Sequence, residues 1–93
     1  MQGFTDANKI FMSILGNVIE KYRKLHNKSI YSISAEVSMS KSTWREAEKG
    51  ACNDIKLTTL WKIAEGLDIK PSDLVKEIEN QLGEDFSFIE NEK

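Results

Sequence analysis

The sequence predicts an all-α chain of five helices, and three observations carry that expectation. Apolar residues recur at three- and four-residue steps along most of the 93 residues. One proline and five glycines leave few places to break a helix. No alternation of the strand type lasts beyond a few residues before the tail EDFSFIENEK.

Each element follows from its local residues. Thr5 or Asp6 can cap a first helix over about 7–26, in which Phe11, Leu15, Val18, Tyr22 and Leu25 form a stripe widened by Ile10, Ile14 and Ile19. His26-Asn27-Lys28 ends it, with Asn27 suited to a left-handed cap and the cations to the helix dipole. Ser29 caps a short second helix running through Val37, with Ile33 and Val37 facing inward. Ser38-Met39-Ser40 makes a turn, Ser40 caps a third helix over about 41–49, and Gly50 closes it. After the loop ACNDIK, a fourth helix spans about Leu57 to Gly66, with Leu57, Leu60, Ile63, Ala64 and Leu67 on its apolar face. Pro71 opens a fifth helix that runs to about Leu82 and stops at Gly83. Phe86 and Phe88 alternate in the tail, which could add a strand or remain mobile.

The composition suits one small domain over residues 1–82, followed by an acidic tail over 83–93. A single cysteine, Cys52, rules out an internal disulfide and fits a reducing, cytoplasmic setting. No apolar run is long enough for a membrane span, and MQGFTDANK does not read as a signal peptide. The net charge of −2 conceals an asymmetry. Residues 1–62 hold ten Lys and Arg against six Asp and Glu, whereas residues 63–93 hold three against nine. The positive charge therefore lies toward the front, where a polyanion could meet it.

The second and third helices, short and joined by three residues, constitute a helix-turn-helix. Neither is long enough to be stable alone, so flanking helices must hold them. Their crossing needs a small residue in the first and an apolar one a turn into the second; Ser34 and Trp44 supply them. With LGNVIEKYRK ahead, SIYSISAEVSMSKSTWREAEKG across the pair and LTTLWKIAEGLDIKPSDLV behind, residues 15–75 resemble the lambda-repressor-like, Cro/repressor (XRE-type) helix-turn-helix family. That resemblance implies a five-helix lambda-repressor-like domain that binds double-stranded DNA as a homodimer and regulates transcription, of the repressor type. No cofactor, metal or membrane is expected.

By position in the family pattern, Lys41, Ser42 and Glu46 would face bases. Ser29, Ile30, Ser40, Thr43, Arg45, Lys28, Lys49 and Lys56 would meet the DNA backbone. Glu48 matches a position that pairs with Arg23, fixing that arginine for a phosphate contact. Glu46 lies about 200° around the helix from Glu48, where it could accept from a cytosine amino group. The chain departs from the pattern at Ile30, usually polar; at Ser38, usually glycine; at Trp44 and Ala47, usually both aliphatic; and in ACND, which has no basic residue. The Trp44/Ala47 change reads as volume-conserving. These departures keep open an alternative: a protein-interaction module, such as an antitoxin-like relative, with weak DNA affinity.

Plainer readings stand beside these. The lysines could be solvated charge, Trp44 core, and His26 a surface or cap residue. Cys52 has no companion ligands for a metal, and Glu77, Glu79, Glu84, Asp85, Glu90 and Glu92 suit a solvated face. Trp61, Phe86, Phe88 and the early apolar residues Ile10, Phe11 and Ile14 are candidates for the dimer surface. The sequence shows no catalytic grouping, so no enzyme is expected.

Overall fold

The computed structural model describes residues 6–89, and among these every regular element is helical. The helices are α1 (Asp6–Leu25), α2 (Ile30–Glu36), α3 (Lys41–Glu48), α4 (Leu57–Gly66) and α5 (Pro71–Leu82). Thr5 and the side chain of Asp6, the expected caps of α1, lie outside the described residues, as do Glu90 and Glu92. No helix is long and apolar enough to cross a membrane.

Four helices end in the same way. Asn27, Ser38, Gly50 and Asp68 adopt left-handed backbone at φ 56°, 59°, 69° and 58°. The next N–H then reaches back five residues: Lys28 to Arg23, Met39 to Ser34, Ala51 to Glu46 and Ile69 to Ala64, at 2.9–3.1 Å. Each bond satisfies a carbonyl that the helix end would leave bare and turns the chain sharply. Two of the four residues, Asn27 and Gly50, are those expected from sequence; Ser38 and Asp68 carry no glycine signal.

α1 is the spine, packed against α3 and α5, while α2 rests on α3 and α4. Met12, Leu15, Val18 and Ile19 of α1 meet Ile33, Trp44, Ala47, Ile63, Ala64, Leu67, Leu74 and Ile78 in one buried core. Burial of each larger aliphatic side chain contributes about 1.5–3 kcal/mol. At Gly16 the α1 and α3 backbones come so close that an added Cβ would stand 2.4 Å from the Glu48 carbonyl oxygen.

The expected stripes need trimming. Ile10 and Leu25 of α1 are exposed, and Leu57, placed on the apolar face of α4, is 69% exposed. Leu57 is the first residue of α4 and faces across a surface groove rather than inward. The tail forms no strand within the described residues. Phe86 and Phe88 fold back onto Phe11, with ring centroids 6.2 and 5.4 Å away, and meet each other edge-on at 5.0 Å. Aromatic packing on α1 takes the place of strand pairing.

Candidate nucleic-acid interface

The caps set the front of each short helix. Ser29 Oγ accepts the Ser32 N–H at 3.0 Å, and Ser40 Oγ accepts the Thr43 N–H at 3.1 Å. Ser40 Oγ also donates to Thr43 Oγ1 at 2.8 Å and stands 3.4 Å from Ser42 Oγ, so three hydroxyls cluster where α3 begins. Ser34 is buried between the helices, and its hydroxyl donates to the Tyr31 carbonyl at 3.2 Å. Small size permits the crossing, and this bond removes the cost of burying the hydroxyl.

Trp44 and Ala47 point inward, which turns Ser42, Arg45, Glu46 and Lys49 outward at about 100° per residue. Lys41 and Thr43 flank that face on either side, and all six residues are exposed. No described segment covers them, the tail through Ile89 included. Lys41 extends toward α2, where its Nζ sits 5.1 Å from the centroid of the Tyr31 ring. Tyr31 is 70% exposed, and the sequence reading passed over it. The signal available was its place outside the Ile30–Ile33–Val37 stripe, facing away from the core.

Two neighbouring cations are engaged inside the protein. Arg23 Nε and Nη2 donate to the two oxygens of Glu48, and Nη1 donates to the Lys28 carbonyl at 2.9 Å. The two side chains are only 12% and 7% exposed. The hydrogen bond to Glu48 pushes the Arg23 guanidinium further up from its already high range, against the opposing effect of burial. Glu48 Oε2 also accepts the Trp44 indole N–H at 2.7 Å. Volume compensation with Ala47 therefore explains only part of why a tryptophan fits here; its N–H also has a buried acceptor one turn along. Lys28 Nζ donates to the Gly66 carbonyl at 2.8 Å and to Glu36 at 3.1 Å, with Asp68 at 3.4 Å. The Glu36 bond raises its pKa, with Asp68 adding to the effect. Arg23 and Lys28, expected as phosphate partners, thus hold α1, α2, α3 and the end of α4 together.

The remaining cations differ. Lys41, Arg45, Lys49 and Lys56 form no ion pair among the described residues. Lys49 is the C-cap of α3, and Lys56 is the N-cap of α4. Ile30 is half-buried at the first position of α2 and brings no polar side chain to the surface. Cys52 is half-buried behind α3, where burial, with some help from Glu46, pushes its thiol up. No group of His, Cys, Asp and Glu suited to a metal occurs among the described residues.

The family profile of the Cro/C1-type HTH DNA-binding domain matches residues 18–79. The restriction-modification controller protein C.AhdI from Aeromonas hydrophila superposes with a TM-score of 0.64 at 22% identity, over 68% of this chain and 94% of that one. An HTH_3 family transcriptional regulator from Vibrio cholerae superposes with a TM-score of 0.70 at 28% identity, over 81% of this chain. The match spans only 41% of the Vibrio chain. Curated protein sequences gave no match. The profile covers two-thirds of the chain, from the middle of α1 through the helix pair and into α5, and the chain therefore belongs to the Cro/C1-type helix-turn-helix family of DNA-binding domains.

Proposed function

We propose that the chain is a homodimeric transcriptional regulator that lays α3 in the major groove of double-stranded DNA and reads a specific sequence there. One observation carries the reading. The exposed side of α3 bears Lys41, Arg45 and Lys49 without carboxylate partners among the described residues, while Arg23 and Lys28 beside it are neutralised. Cations left in water at a helix face are available to replace counterions on phosphate. In this reading Lys41, Ser42 and Glu46 meet base edges, and Thr43, Arg45, Lys49 and Lys56 meet the backbone, with Ser29, Ile30 and Ser40 approaching phosphate at the helix fronts. Arg23 and Lys28 serve by holding the helix pair in place.

The dimer face in this reading is the groove of about 620 Å³ between α4 and α5. Leu57, Trp61 and Val75 expose apolar surface there. Lys70, Lys76 and Glu79 rim it, so a two-fold copy can set one lysine of each copy against the other's glutamate. No residue of α2 or α3 lines the groove, which leaves both recognition helices open.

Fluorescence anisotropy with a random-sequence duplex at 50 and 200 mM salt tests the DNA reading. Three cations on phosphate per protomer, Arg45, Lys49 and Lys56, predict a fall in affinity of roughly fortyfold between the two for one protomer and more for a dimer. A chain without measurable binding at the lower salt would overturn it in favour of a protein-binding module.

A further inference from the structure

We infer that Tyr31 is a positioning residue for base reading, its ring holding the Lys41 ammonium at the front of α3 so that the lysine meets one guanine edge. The inference rests on the DNA-binding reading and adds to it a residue from the other helix of the pair.

Lys41 is poorly placed for the helix that carries it. It is the first residue of α3, where the dipole is positive, and no acidic residue stands in that first turn. Among the described residues no carboxylate pairs with it; its neighbour is the Tyr31 ring face at 5.1 Å. That separation is within the range at which an aromatic quadrupole attracts a cation. Tyr31 itself is 70% exposed, so the core does not account for a large ring at this position. The two side chains come from helices whose relative placement is fixed beneath them by Ile33, Ser34 and Trp44, all buried.

A lysine ammonium is a point charge on a flexible stem, and confining it on DNA costs rotamer entropy. A ring that confines it in the free protein removes much of that cost beforehand. It also narrows the set of base edges within reach. The guanine O6 and N7 acceptors in the major groove are the natural target for such a donor. The ring face is what matters in this arrangement, and the phenol hydroxyl is dispensable.

The test uses the full chain and the duplex most enriched from a random pool. Tyr31→Phe is expected to keep wild-type affinity and base preference. Tyr31→Leu should lose about fivefold in affinity and flatten the preference at the same guanine that Lys41→Met flattens, with the salt slope unchanged. Tyr31→Leu combined with Lys41→Met should be no worse than Lys41→Met alone. In the free protein, upfield ring-current shifts on the Lys41 ε-methylene protons should persist in Tyr31→Phe and vanish in Tyr31→Leu. A leucine variant that keeps the preference, or whose loss adds in full to that of Lys41→Met, overturns the inference while the DNA reading stands. A wild-type chain that binds no duplex overturns both.

Discussion

Ser38 stands in the turn between α2 and α3 with φ +59°, where its Cβ crowds the backbone and a glycine would not. The substitution Ser38→Gly should therefore raise stability by about 0.5 kcal/mol, the strain relieved being partly offset by the greater freedom of glycine in the unfolded chain. A higher urea midpoint at constant slope is the expected readout. Lys41 shows the opposite relation between a residue and its element. Lys41→Glu would place a carboxylate at the positive end of α3, four residues before Arg45, gaining about 0.5–1 kcal/mol from dipole and pair together. Loss of the Tyr31 contact, about 0.5 kcal/mol at an exposed site, offsets much of that. The fold should thus melt no lower than wild type, while affinity for duplex DNA falls more than tenfold. Thermal melting and anisotropy on the same sample check both halves. A residue that costs its own helix stability is placed there for something outside the helix.

Where elements meet, two glycines separate backbone contact from side-chain contact. A Cβ on Gly16 would lie 2.4 and 2.7 Å from the carbonyl oxygens of Glu48 and Ala47, which are backbone and cannot rotate away. A Cβ on Gly66 would meet side chains instead, Val37 Cγ1 at 2.7 Å and Ile33 Cγ1 at 3.2 Å. Alanine favours a helix over glycine by about 1 kcal/mol, so propensity alone predicts that both Gly→Ala changes stabilise. Overpacking reverses that sign for Gly16→Ala, with an expected net loss of about 2 kcal/mol, whereas Gly66→Ala should stay within about 1 kcal/mol of wild type. Chemical denaturation of the two variants side by side decides it. This contrast marks how far the sequence is legible. Element boundaries followed from local signals such as Ser29, Ser40, Gly50 and Pro71, because capping and backbone preference act within a few residues. The pairing of Glu48 with Arg23 came from the family pattern, and the inward Trp44 from what the crossing of a helix-turn-helix requires. The close approach at Gly16, the commitment of Lys28 to the end of α4, and the seat of Lys41 on Tyr31 are not written in any one stretch. Each depends on two segments meeting, and spacing along the chain does not encode that meeting.

Across the whole molecule, the exposed cations of α3 and Lys56 are where the proposed reading has DNA approach. In the same reading the acids Glu79, Glu84 and Asp85 would disfavour loose contact elsewhere on the surface. A single copy offers one short helix, so in the proposed dimer a second copy joined at a fixed spacing would add affinity and length of site. Trp61 decides whether the α4–α5 groove provides that join. It is 52% exposed beside Leu57 and Val75, so the monomer's own core needs little of it. Trp61→Glu should shift monomer stability by no more than about 0.5 kcal/mol. In a dimer the same change would desolvate two carboxylates facing each other near a two-fold axis, a cost of several kcal/mol that the rim lysines Lys70 and Lys76 offset only in part. Sedimentation at micromolar concentration should then move from dimer to single chain. Affinity for a two-half-site duplex should fall at least tenfold, while binding to an isolated half-site stays as in wild type. If the variant sediments as the wild type does, the join lies on another face, and the aromatic seat of the tail at Phe11 becomes the next surface to substitute.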